Sequence, residues 1–256
     1  MATIETFSPQ SLANRAIISL RGENVLGFLN NILTCNVESL NHAAMAYGAL
    51  LSPQGKILHD MFVHRAEHLV LIDCDSDGQD DLISKLKLYR LRAKFEIAVG
   101  HDLQVVAGAG TESDPRSSEL GLRGIFERGT HPSGNDYDAT RFKLGIADSS
   151  EIGSGKLFPH EANFDLLHAV DFKKGCYIGQ EVVSRMQHRG TARNRVMPVM
   201  FENDPPTDEI RIGDMLLGEV LGRRGKAVLA LIRTDRLAEV GETPGMIIIK
   251  PEWMKP

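Results

Sequence analysis

The chain has no run of apolar residues near the roughly 20 needed to cross a bilayer, so no membrane-spanning helix and no membrane partner are expected. It has little cysteine: Cys35, Cys74 and Cys176 are three, odd in number and far apart, which argues against a disulfide framework and fits a reducing compartment. It lacks a basic excess. A formal charge of −5 argues against a general nucleic-acid binder, and no direct nucleic-acid partner is expected. No CxxC pair or His/Cys cluster has zinc spacing; the nine histidines are dispersed, and His59, His64 and His68 read as solvated or structural rather than as a metal site. There is no GxGxxG loop, and Gly108-Ala109-Gly110 is too short to stand in for one. Met1 to Gln10 carries Glu5 and shows neither the basic start nor the apolar core of a signal peptide. With the scattered cysteines, this gives a cytoplasmic expectation.

What remains is ordinary globular composition, 42% hydrophobic and 25% charged over 256 residues, enough for one large domain or two to three small ones. Arg15 to Leu20 reads as a strand, and the spacing of Val25, Phe28, Leu29 and Ile32 predicts a helix. Tyr47 to Leu51 and Lys56 to Arg65 read as strands joined by the turn Ser52-Pro53-Gln54-Gly55. Leu69 to Asp73 and Lys94 to Val99 are further strands, on either side of a helix over Asp80 to Arg90. Thr111 to Ser118 and Gly129 to Asp138, rich in Gly, Pro, Ser and Asp, read as exposed connections. Beyond about Arg195, the short apolar runs Val196 to Phe201, Met215 to Leu221 and Ala227 to Arg233 suggest a small C-terminal β-barrel or sandwich. Strands and helices mix without a regular βα repeat, so the fold class is α+β.

The chemistry concentrates between Phe158 and Arg195. Glu161, Asn163 and Asp165 come first; Lys173-Lys174-Gly175 then leads into Cys176, and Gly179-Gln180-Glu181 opens a helix whose continuation carries Arg185, Arg189, Arg193 and Arg195. A thiol beside lysines and near a helix N-terminus is expected to favour its thiolate, fit to act as nucleophile, redox switch or soft-metal ligand. The competing reading is a buried, inert cysteine, the usual fate of a lone one, and it is assigned to Cys35 and Cys74.

Lys174-Gly175-Cys176-Tyr177-Ile178-Gly179-Gln180-Glu181 resembles the signature octapeptide of the YgfZ family, folate-binding relatives of the glycine-cleavage T-protein that include a mitochondrial iron–sulfur assembly factor. Gly22-Glu23-Asn24 with Phe28-Leu29, the stretch Leu51 to Leu58, Glu161-Ala162-Asn163 and Gly218-Glu219-Val220 extend the likeness over nearly the whole chain. The resemblance implies a T-protein-like ring of three small domains with a C-terminal β-barrel: residues 1–194 as a folate-binding region of two α+β subdomains, residues 195–256 as the barrel. It implies tetrahydrofolate or a derivative as cofactor, with Cys176 and Asp60 as catalytic residues and Asp60, Arg141, Glu161, Asn163, Tyr177 and Arg185 toward the cofactor. Asp60 falls on the catalytic aspartate of T-proteins, at the end of a run starting at Lys56.

One departure stands out. T-proteins carry Arg-x-Glu-x-Gly, whose glutamate holds the pteridine, and here Arg141-Phe142-Lys143-Leu144-Gly145 puts a cation in its place. A lysine cannot accept the pteridine's N–H hydrogen bonds, which sets the chain apart from a methylene-transfer enzyme. The reading implied is a monomeric, folate-binding factor that supports iron–sulfur cluster assembly or repair, including for enzymes that modify tRNA, with iron–sulfur enzymes or assembly proteins as partners. A second reading is an aminomethyltransferase of the glycine-cleavage type; a third is a scaffold with a vestigial pocket.

Overall fold

The computed structural model describes residues 7–38, 40, 44–190, 192–240 and 243–254; the first six residues of the Met1 to Gln10 stretch therefore lie outside the described residues. In chain order the strands and helices are β1 (Gln10–Ser11), β2 (Arg15–Gly22), α1 (Val25–Ile32), β3 (Met45–Leu51), β4 (Ile57–Arg65), β5 (Val70–Asp75), α2 (Gln79–Arg90), β6 (Phe95–Val99), β7 (Leu103–Ser113) and β8 (Leu122–Glu127). They continue with α3 (Asp136–Leu144), α4 (Ser149–Ile152), α5 (Gln180–Arg189), β9 (Asn194–Phe201), β10 (Glu209–Ile212), β11 (Met215–Arg224), β12 (Ala227–Arg233) and β13 (Met246–Ile248).

The first sheet, ordered β3-β4-β5-β2-β6, is antiparallel throughout. Its central strands bury both faces, and the period of two explains how. On β2, Ile18 and Leu20 enter one core while Ile17 enters another; on β4, Met61 and Val63 face the first core and Phe62 a third. The helical spacing of Val25, Leu29 and Ile32 on α1, and of Leu82 and Leu86 on α2, packs both helices against one face of this sheet. Acidic residues in the first turn of α2 and basic ones in its last suit the helix dipole. A small sheet, β1-β7-β8, lies beside it, and β10-β11-β12-β9-β13 forms the C-terminal sheet, which curls around a core of its own.

The first sheet and the small sheet meet over buried charge, with the α3–α4 segment against them. Arg15 on β2 donates through Nε to Asp73 Oδ1 on β5 at 2.6 Å and through Nη1 to Asp148 Oδ1 at 3.0 Å. Arg123 on β8 reaches the other Asp73 oxygen at 2.6 and 2.8 Å and also donates to the Tyr137 hydroxyl on α3. Arg116 forks onto Asp114 at 3.0 and 2.9 Å, and its guanidinium lies over the Tyr47 and Phe62 rings. Asp114 and Arg116 belong to a stretch expected to be an exposed connection. The structure buries both, and Tyr137 from the second such stretch with them. Both stretches are irregular only in part, since Thr111 to Ser113 ends β7 and Asp136 to Asp138 opens α3, and their irregular backbone buries charge where each side chain finds its counter-ion.

Breaking a buried ion pair from one side leaves a charge without compensation. Arg15→Met strands Asp148 and half of Asp73, and an expected loss of about 3–5 kcal/mol should appear as a fall in the urea unfolding midpoint. A loss below about 1 kcal/mol would show that the network does not hold the sheets together.

Candidate functional site

The octapeptide starts in an exposed turn and ends in the first turn of α5. Cys176 is exposed, whereas Cys35 and Cys74 are buried, and burial pushes both of those thiols up to about 12. Around Cys176 the turn is pinned at three points. Asp171 accepts hydrogen bonds from the Lys173 and Lys174 backbone N–H groups, at 2.7 and 3.2 Å. Tyr177 is buried as an anchor, its ring 5.3 Å from Lys174 Nζ. Gly179, at φ 80°, caps α5 against the β3–β4 turn so closely that a Cβ there would stand 2.7 Å from Ser52 O. Gly55, in that turn, leaves equally little room: a Cβ would come within 2.8 Å of Val182 Cβ. The hairpin signal and the octapeptide are thus two halves of one contact, which is why each needs a glycine.

Lys174 departs from expectation. Its ammonium donates to the carbonyls of Asn30, Leu33 and Cys35, at 2.5, 2.7 and 2.8 Å, and so caps the C-terminal end of α1. Desolvation lowers its pKa from the usual lysine value. The charge expected to face the thiol is spent on backbone, and Lys174 serves to hold the turn rather than to activate the sulfur. Cys176 also stands three residues ahead of the Gly179 cap rather than on the helix N-terminus itself.

The residues expected around a cofactor do not gather in one place. Arg141 is buried and committed to Glu151 at 2.7 Å, to Asp138 and to the Ile146 carbonyl. Glu161 accepts from the Phe158 N–H at 2.9 Å and from Asn194. Asn163, in left-handed backbone at φ 63°, donates to the Val196 carbonyl at 2.8 Å and accepts from Arg195. Those two fasten the segment before Cys176 to β9. The Tyr177 hydroxyl is buried with no hydrogen-bond partner among the described residues, and Arg185 is exposed and paired with Glu181 at 2.5 Å.

Asp60 is placed differently. It is buried on β4, accepts from the Tyr47 hydroxyl at 2.9 Å and from Ser149 Oγ at 2.5 Å, and lines a cavity of about 80 Å³ with His59, Asp75, Gly78 and Ser149. Burial, and then Asp148 close by, push its carboxyl up to about 6. A wall rich in oxygen acceptors suits the N–H edge of a pteridine, and the volume admits such an edge, not a whole folate. The donor set at Asp60 therefore fits part of the group, while Arg141, Glu161 and Asn163 are spent on internal bonds. Among the described residues, no three His, Cys, Asp or Glu side chains converge as metal ligands, and His59 pairs instead with Asp81 at 2.7 Å.

The fold is T-protein-like, and on it the chain presents an exposed thiol. The solved structure of glycine cleavage system aminomethyltransferase T from Bartonella henselae matches with a TM-score of 0.69, over 89% of this chain and 78% of that one, at 11% identity, a likeness of fold alone. Residues 193–256 match the family described as CAF17, C-terminal beta-barrel domain. The sequence relatives are iron–sulfur cluster assembly factors: the IBA57 homologues of Neurospora crassa (29% identical, 78% of this chain, 55% of that protein) and Chaetomium globosum (31%, 75% and 56%), and human IBA57 (28%, 94% and 84%). The chain spans little more than half the length of those fungal relatives. All three are mitochondrial by name, which overturns the cytoplasmic expectation. Scattered cysteines report a reducing compartment and not which one.

The raised carboxyl of Asp60 has a signature in stability. Between about pH 4 and pH 6 the folded chain holds a proton there that the unfolded chain has released, so this residue's contribution falls as pH rises through that window. Asp60→Asn keeps an acceptor for Tyr47 and removes the titration. Its stability relative to the unsubstituted chain should climb, by on the order of 2 kcal/mol, from pH 4 to pH 6 and then level off. A difference that stays flat in denaturation curves across this range would refute the assignment.

Proposed function

We propose that this chain supports the assembly or repair of iron–sulfur clusters, including those of enzymes that modify tRNA, and that Cys176 is the residue through which it acts. The observation that carries this reading is the contrast among the cysteines: two are sealed in the core, and the third is exposed in a turn fixed by Asp171, Tyr177, Gly179 and Lys174. A fold that commits a half-buried lysine and two close-packed glycines to one turn is organised to present what that turn carries. The relatives named for iron–sulfur cluster assembly supply the process, and iron–sulfur enzymes or assembly proteins are the partners proposed.

Tetrahydrofolate or a derivative is proposed as the small-molecule ligand, with the N–H edge of its ring against Asp60. Such a ligand would bring one-carbon carrier nitrogens to the site; Asp60 would accept from the ring edge, and Tyr47 and Ser149 would hold the carboxyl in place. The proposed organisation is a folate-binding region over residues 1–194 and a barrel over residues 195–256. Lys143, on α3 where T-proteins carry the pteridine-holding glutamate, argues against aminomethyl transfer to folate.

In a strain lacking its own copy of the gene, Cys176→Ala should fail to restore the activity of an iron–sulfur enzyme that modifies tRNA. Full rescue by that variant would remove the thiol from the account. Titration calorimetry with several reduced folates should show binding, weakened at least tenfold by Asp60→Ala. No heat at millimolar ligand, an affinity weaker than about −4 kcal/mol, would overturn the folate assignment.

A further inference from the structure

The surroundings of Cys176 differ in charge from the rest of the molecule. From Phe172 to Arg193 the chain carries five lysines or arginines and one acidic residue, Glu181, although its formal charge overall is −5. Two of these cations are used internally: Lys174 on the carbonyls that end α1, and Arg185 on Glu181. Lys173, Arg189 and Arg193 are exposed, and none has an acidic side-chain partner among the described residues. Lys173 stands three residues before the thiol, Arg189 is the last residue of α5 and Arg193 follows it, and the ten residues of that helix span about 15 Å.

An apolar group stands among them. Phe172 is 37% exposed, four residues before Cys176, with its ring 6.1 Å from that of His160. His160 Nε2 lies 3.0 Å from Gln187 Oε1, which ties this aromatic corner to α5. His160 Nδ1 is buried with no hydrogen-bond partner among the described residues. A solvated helix face needs no exposed phenylalanine beside it. An aromatic residue within an arginine-rich rim is the composition that protein interfaces favour.

We propose that the face formed by Phe172, Lys173, Cys176, Arg189 and Arg193 docks an acidic protein surface and thereby brings the partner's reacting group to the Cys176 sulfur. The proposal rests on the function given above and names the chemistry of the partner. Phosphates would also seek these cations. A nucleic-acid binder, however, usually shows a basic domain and several stacking aromatics. Here the chain is acidic and the face holds one phenylalanine.

The test uses the full chain, fluorescein-labelled poly-L-glutamate of about 20 residues, and a single-stranded RNA of equal length, compared by fluorescence anisotropy at low salt. The unsubstituted chain should bind polyglutamate more tightly than RNA. Bound polyglutamate should slow alkylation of Cys176 by iodoacetamide. Lys173→Glu, Arg189→Glu and Arg193→Glu together should weaken that binding at least tenfold without changing the melting temperature. If the melting temperature does fall, the three glutamine replacements should give the same ordering.

Absent binding, binding indifferent to charge reversal, or preference for RNA would each overturn the proposal. So would self-association of the chain abolished by the same substitutions, which would give the face to a second copy. In the complemented strain, the charge-reversed chain should lose rescue. Rescue by it alongside failure of Cys176→Ala would sink the docking face and spare the function. Rescue by both would sink the function itself.

Discussion

The packing of the first sheet against the small sheet is arranged around Asp73. Its two carboxylate oxygens take two arginines from different sheets, Arg15 from β2 and Arg123 from β8, and Arg15 passes on to Asp148 at the cap of α4. Charges this deep tolerate few geometries, because each must keep its partner at hydrogen-bond distance or be left unpaired in a poor solvent. The network therefore fixes how the first sheet, the small sheet and the α3–α4 segment meet. Glu151 extends it by accepting from the Asp148 N–H while it holds Arg141. The arginine that the T-protein pattern offers to a ligand is in this way drawn into the scaffold.

The same economy explains the contrast between Asp60 and Asp73. Asp73 has two cations in contact, which hold its carboxyl below the usual range. Asp60 has no arginine in contact among the described residues; burial, and then the neighbouring Asp148 carboxylate, push its carboxyl up against the hydrogen bonds from Ser149 and Tyr47, which favour the charged form. Two aspartates buried in the same sheet thus differ in use. One is structural and ionised; the other borders a cavity with its proton affinity raised, the condition that general acid–base or ligand-edge roles require.

Short strand-like runs showed the strands of the first sheet, and the Pro-Gly signal showed the turn at Ser52 to Gly55, because these are local properties of the chain. The octapeptide stood out through its resemblance to a family signature, since glycines and lysines around a cysteine left the functional and the inert readings open. The buried charges were hidden in the sequence. Asp114, Arg116 and Arg123 are separated by many residues from Asp73 and Arg15, and nothing local distinguishes a surface arginine from one at the meeting of two sheets. Lys174 misled for the same reason: adjacency along the chain suggested that it faced Cys176, and the fold sends its side chain to α1. A one-sided sign of burial was present, since β2 reads as apolar on both faces and then places Arg15 at its start.

The central claim is that one sulfur, presented by a rigid turn, carries the chemistry while the rest of the buried polar machinery carries the fold. It is tested most directly by a chain whose only cysteine is Cys176, made by Cys35→Ala and Cys74→Ala, set against the chain that keeps those two and carries Cys176→Ser. The measurement is the activity of an iron–sulfur enzyme that modifies tRNA, in a strain that depends on the introduced copy. The account predicts rescue by the first chain and none by the second. Rescue by the second and failure of the first, with both folded by their melting curves, would contradict it.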